Sequence, residues 1–298
     1  MNKPPWSGHP IYRLPDQFMA AYDRIEDRDN GMRLMTSRAH KDLVGLWIIA
    51  LGLLADAFAS GRVYSFTGDP DDEIGVKAFN LRWQLLGLAG RGSKPSLDLL
   101  LAGYYTEAFG VIRSMLDGWA RVLYVRLRPK EYGRWYEPEN EAGQAETKAP
   151  PHFGEIDGVV TADGNADDRR LFDEANLRFR LLSAGSHPSG EGITQTRDYE
   201  RGLMVFDPDY REDFARHGFN HGLFAHIALL DEIEIAGAQD DGWRSRLAAL
   251  NHYWQPLRAS FDPVLAEEAK ALAEEQAARS EAKRATRVSA RAATPVTT

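Results

Sequence analysis

The 298-residue chain contains no cysteine. Disulfides, thiolate metal sites and a cysteine nucleophile are therefore excluded. Long apolar runs are missing as well. The most apolar segment is Leu43–Ala55, LVGLWIIALGLLA. It falls short of the about 20 apolar residues that span a bilayer, so a buried helix and no membrane insertion are expected. The N-terminal MNKPPWSGHPIYRLPDQF lacks the apolar stretch of a secretory signal, and a cytoplasmic location is the expectation. Basic charge is in deficit. Lys and Arg total 36 against 44 Asp and Glu, for a net charge of −8. That disfavours a surface coated in nucleic acid while leaving room for a local basic patch. Walker, GxGxxG, HExxH and GxSxG motifs are absent, as are repeats at solenoid periods.

What is present is helical periodicity. Residues 1–35 read as a proline-rich arm followed by a short helix that Asp16 opens, through Phe18, Met19, Tyr22 and Ile25. Residues 36–262 read as the bundle domain. Its expected helices cover Thr36–Ser60, Ile74–Ala89, Ser96–Arg128, a short piece at Pro129–Trp135, a helix from about Asp168, then Arg211–Ala236 and Gly242–Arg258. The apolar residues in these segments recur every three or four positions. Residues 137–168, rich in Glu, Gly, Ala, Pro and Asp, read as a long acidic insertion without regular structure. Short strands are expected at Val63–Phe66 and in a hairpin pairing Ile193–Thr196 with Leu203–Phe206. Residues 263–298 read as a last helix, Pro263–Ala290, fraying into a basic tail. The fold class is therefore all-α, an antiparallel helical bundle with an insertion and one small hairpin.

The closest approach to chemistry is LRFRLLSAGSHPSGEG, residues 177–192. Offsets of three and seven residues lie one above the other on a helix. Arg180, Ser183 and His187 therefore share a face, spread over about 10 Å of rise, and Pro188 stops the helix. The functional reading is RNA cleavage by the 2′-hydroxyl. His187 moves the proton, and Arg180 holds the phosphate and stabilises the transition-state charge. The structural alternative makes His187 a helix C-terminal residue bonding loose carbonyls, with Arg180 paired to Asp173 or Asp117. A second candidate is the ladder Arg113, Asp117, Arg121 at offsets of four. It reads as a surface salt ladder or as a polar seam facing the motif helix, with Glu107 one turn of drift away. His217 and His221 form an HxxxH pair with His226 nearby. Metal binding there wants a carboxylate or third histidine in register. Glu212 and His226 are both out of register, so no metal and no cofactor are assigned. His226 reads as a core histidine, and Trp47, Trp83, Trp119, Trp135 and Trp254 as core rather than base-stacking residues.

Two of these segments also carry a resemblance. The helix GYYTEAFGVIRSMLDGWARVLY (Gly103–Tyr124), with Glu107, Arg113 and Asp117, is followed some sixty residues later by LLSAGSHPS. The pair resembles a widespread bacterial family of uncharacterised α-helical proteins, over roughly residues 40–235. More distantly, Arg180 and His187 with six residues between them resemble the Arg-to-His signature of the HEPN superfamily. Leu181 stands where those nucleases often carry a polar residue. The HEPN resemblance implies a metal-independent RNase of toxin–antitoxin or anti-phage type. It also implies a homodimer whose site both copies share. The alternative function is a non-catalytic helical module that senses a protein or small ligand.

Overall fold

The computed structural model describes residues 16–59, 69, 71–136, 150–186, 197–198, 203–204, 210–236 and 240–292. Its helices are α1 (Asp16–Ala39), α2 (Lys41–Ala59), α3 (Glu73–Gly90), α4 (Ser93–Ala102), α5 (Tyr105–Leu127), α6 (Gly133–Tyr136, after a 3₁₀ turn at Pro129–Tyr132), α7 (Phe153–Asp163), α8 (Ala166–Ser186), α9 (Glu212–Ile235) and α10 (Asp241–Ala292). A two-residue antiparallel ladder joins β1 (Arg197–Asp198) to β2 (Leu203–Met204). The fold is an all-α bundle, as expected. No helix of the described residues is long and apolar enough to cross a membrane.

α5 is the axis of the bundle, with α3, α4, α7, α8 and α9 packed around it. Ile112, Leu116, Ala120, Val122, Leu123 and Val125 are fully enclosed along it. Such burial stabilises by about 1.5–3 kcal/mol for each large apolar side chain. Trp47 on α2 is also fully buried. Its indole donates to the Ser93 carbonyl at 3.2 Å and meets Phe219 edge-on at 5.8 Å. A Cβ at Gly222 would lie 2.0 Å from the Trp47 ring, so glycine there lets α9 approach α2. Trp119 and Trp254 are buried too, and Trp83 and Trp135 pack against the core.

Several expectations need correction. The segment Ser96–Arg128 is two helices, because Gly103 adopts φ +84° and ends α4. Only glycine takes that left-handed conformation without a steric penalty. The single helix expected at Thr36–Ser60 divides at His40, although helical hydrogen bonds run on through it from Thr36 and to Val44. The supposed structureless insertion contains α7 and the first turn of α8. A reciprocal cap starts α8: Asn165 N–H donates to Asp168 Oδ2 at 3.2 Å, and Asp168 N–H to Asn165 Oδ1 at 2.9 Å. At the C-terminal side, one helix runs from Asp241 through Pro256 and Pro263 to Ala292. Two had been expected. Trp254, Phe261 and Leu265, all buried, hold it together across the prolines. The hairpin pairs Arg197 with Met204 and Asp198 with Leu203, while Ile193–Thr196 and Val63–Phe66 lie outside the described residues.

Buried charge ties the helices in register. Glu232 of α9 is 2% exposed. It accepts from Arg126 of α5 at 3.1 Å and from Arg82 of α3 at 3.1 Å. Arg126 also reaches Asp168 at the start of α8, at 2.5 Å. A second node is Glu174 of α8, which accepts from Arg178 at 2.7 Å and also binds Arg258 of α10. Removing one partner of a buried ion pair strands the other charge, at a cost of about 3–5 kcal/mol. Urea denaturation of Glu232→Gln is expected to show a loss of that order, while Lys94→Ala, which breaks only an exposed pair with Asp98, costs under about 1 kcal/mol.

Candidate functional site

A groove of about 570 Å³ opens between α5, the N-terminus of α7 and α8, lined by Arg113, Ser114, Asp117, Arg121, His152, Phe153 and Phe179. Two of its walls follow from the core. Phe153 and Phe179 stack with ring centroids 4.1 Å apart, fixing α7 on α8. The Arg113 guanidinium carbon lies over the Phe179 ring, 4.7 Å from its centroid. Such stacking keeps a cation in place without consuming its hydrogen-bond donors. The Nε of Arg113 and of Arg121 are buried and have no hydrogen-bond partner among the described residues.

The predicted ladder is half formed. Arg121 binds Asp117 at 2.7 Å, whereas Arg113 turns to Phe179. Burial pushes the Asp117 carboxyl above its usual range, against the pull of Arg121 and Arg113. The groove therefore holds two arginines and one carboxyl whose ionisation burial disfavours. His152 caps α7: its Nδ1 accepts from the Glu155 N–H at 3.0 Å. In the neutral ring this leaves the proton on Nε2. His152 and α7 escaped the sequence analysis because they lie in the segment read as an insertion. The available signal was Glu155 three residues after His152, with Pro150 and Pro151 just ahead, the spacing of a helix start.

The motif on α8 is partly described. Arg180 is exposed on its last two turns, one residue beyond Phe179. Ser183 is half-buried, and its hydroxyl donates to the Phe179 carbonyl at 2.6 Å, so it is bound into its own helix. His187 lies outside the described residues. Of the acids proposed as partners for Arg180, Asp173 is bound by Arg169 and Asp117 by Arg121. Glu107 is exposed in the first turn of α5 and does not line the groove.

The HxxxH pair meets a carboxylate that sequence did not foresee. Glu268 arrives from α10, and its Oε1 accepts from His217 Nδ1 at 2.8 Å. Ligand atoms of His217, His221 and Glu268 all lie within 4.8 Å of one another. A metal fits poorly here, because Arg178 donates from Nη1 to His221 Nδ1 at 3.1 Å. Arginine cannot give up its proton, so His221 must accept at Nδ1 and carry its hydrogen on Nε2. No lone pair is left for an ion while that bond holds. Arg178 is fully buried, paired with Glu174 and stacked over Phe224 at 4.6 Å. It is a structural cation that occupies the lone pair of His221 Nδ1. His226 is likewise a core residue. Its Nδ1 donates to the Gly222 carbonyl at 2.7 Å, and the ring meets Trp47 edge-on.

Burial and the Arg178 charge hold the His221 imidazole well below its ordinary range. Burial lowers that of His226 to about 4. The half-buried Asp231 is pushed up to about 7 by loss of water and by Glu234 and Glu232. Below about pH 6.5 the unfolded chain takes up protons that the two folded histidines refuse, so their contribution to stability shrinks as pH falls toward 4. Asp231 acts oppositely, since the folded chain keeps a proton that the unfolded chain loses near 3.8. Two groups outweigh one. The melting temperature is expected to drop from pH 6.5 to pH 4, and Asp231→Asn to raise it at pH 8 more than at pH 4. Thermal melts across that range check both. No family model, curated protein or solved structure matches this chain.

Proposed function

We propose that this bundle recognises RNA one phosphate at a time in the α5–α7–α8 groove, and that it cleaves the strand without a metal beside that phosphate. The observation that carries binding is Arg113. Its guanidinium lies over Phe179, and its Nε has no hydrogen-bond partner among the described residues, with Arg121 two turns further along the same helix. A phosphate oxygen takes charge-assisted hydrogen bonds from such donors. The net charge of −8 and the Asp117 carboxyl limit the attraction to one or two phosphates rather than a long tract.

Cleavage rests on the HEPN resemblance, which assigns Arg180 and His187; Arg180 follows Phe179 on α8 but does not itself line the groove. The 2′-oxygen attacks the neighbouring phosphorus and the bond to the 5′-oxygen breaks. The products are a cyclic phosphate and a free 5′-hydroxyl. His187 handles the proton and Arg180 the added negative charge. The resemblance further supports a homodimer that shares the site, and a role in toxin–antitoxin or anti-phage defence.

A second reading is a non-catalytic sensor of a small phosphorylated ligand. It is favoured by the modest size of the groove and by the Ser183 hydroxyl being tied to its own helix. Arg113→Gln is expected to weaken binding of a short fluorescent RNA by about tenfold, a loss near 1.4 kcal/mol. His187→Ala is expected to leave binding intact and abolish cleavage on a denaturing gel. RNA bound but never cut by the wild type favours the sensor, and wild-type affinity in Arg113→Gln overturns the groove.

A further inference from the structure

α2 is apolar nearly all the way round, which in a bundle normally marks a helix enclosed on every side. One side is enclosed: Leu43, Leu46, Trp47, Ala50, Leu53, Leu54 and Ala57 are buried. The opposite side is bare. Ile48 is 56% and Ile49 44% exposed, and Gly52, Ala55, Asp56, Lys41 and Asp42 are exposed with them. A Cβ placed on Gly45 or Gly52 would touch nothing. These positions recur at three- and four-residue steps, so they form one straight face along the helix.

The order of residues on that face is self-complementary. Take the midpoint between Ile48 and Ile49 and run a second α2 antiparallel to the first. Gly45 then stands opposite Gly52, and Lys41 opposite Asp56 of the second copy. The isoleucines of both copies gather at the two-fold axis, and the small residues on either side let the backbones approach. Each Lys41–Asp56 contact occurs twice, as an isologous interface requires. Asp56 already holds Arg246 of its own chain at 2.7 Å, and an incoming lysine completes a three-charge cluster.

We infer that the outer face of α2 is a docking surface for a second copy of this chain, packed antiparallel about the Ile48–Ile49 midpoint. The pairing differs from a dimer that joins two α8 sites, because α9 and α10 stand between α2 and α8. It is independent of any RNA chemistry.

Analytical ultracentrifugation of the full chain over a wide concentration range tests it. The wild type is expected to double its mass across that range. Ile48→Asp with Ile49→Asp is expected to keep the lower mass throughout, whether that is the single chain or a pair joined at α8, with an unchanged circular dichroism spectrum, since both positions are exposed. Lys41→Glu is expected to raise the dissociation constant about tenfold, and adding Asp56→Lys to recover most of that. A wild type whose mass never doubles overturns the inference. So does a doubling that survives the double aspartate substitution, or one indifferent to the charge reversal.

Discussion

The bundle depends on one buried carboxylate. Glu232 brings a negative charge into the core, and burying a charge without partners is prohibitive. The chain answers with Arg82 and Arg126, drawn from two different helices. Arg126 then extends the link to Asp168, which also caps α8. Four helices are thereby held at fixed rotations about their axes, something apolar packing specifies less sharply because it is non-directional. The groove is a consequence. α5 must present Arg113, Asp117 and Arg121 toward α8 once Arg126, further along the same helix, is committed to Glu232.

The two ends of the protein's buried chemistry use the same device to different effect. Around Glu174, each cation has an anion: Arg178 and Arg258 share its oxygens, and His221 takes an Nη1 hydrogen of Arg178. That cluster is closed to ligands. In the groove, Arg121 is paired with Asp117, while Arg113 lies over the Phe179 ring and forms no ion pair within 4 Å among the described residues. The difference is one missing carboxylate, and it separates a structural cluster from a candidate site.

Helix existence was legible wherever apolar spacing was strong, as in α3, α5 and α9. Boundaries were read less well, for identifiable reasons. Gly103 sits in a run that looks periodic on both sides, and only its backbone angle reveals the break. Pro263 reads as the first residue of a separate helix, because proline lacks the N–H that a helix interior needs and is tolerated in a first turn. The buried Trp254, Phe261 and Leu265 outweigh the missing hydrogen bond, and long-range packing of this kind leaves no local trace. α7 was hidden by composition, since Gly, Asp and Glu mask the short apolar pattern of Phe153, Ile156, Val159 and Val160. For the site, Arg113, Asp117 and Arg121 could be placed on one face from spacing alone. That Arg113 would leave Asp117 for Phe179 could not be read, because the partner is set by how α5 crosses α8. Glu268 escaped for the same cause: the carboxylate beside His217 comes from a helix that begins some twenty residues downstream of it.

α10 has a mechanical consequence. At about 1.5 Å per residue its 52 residues trace roughly 78 Å, about twice the length of α1 or α9. Glu268, paired with His217 at 2.8 Å, ties it to the bundle, and 24 helical residues, from Ala269 to Ala292, follow that contact. A helix of that length spans far more than the width of the bundle core, so its backbone amides report motion about one long axis.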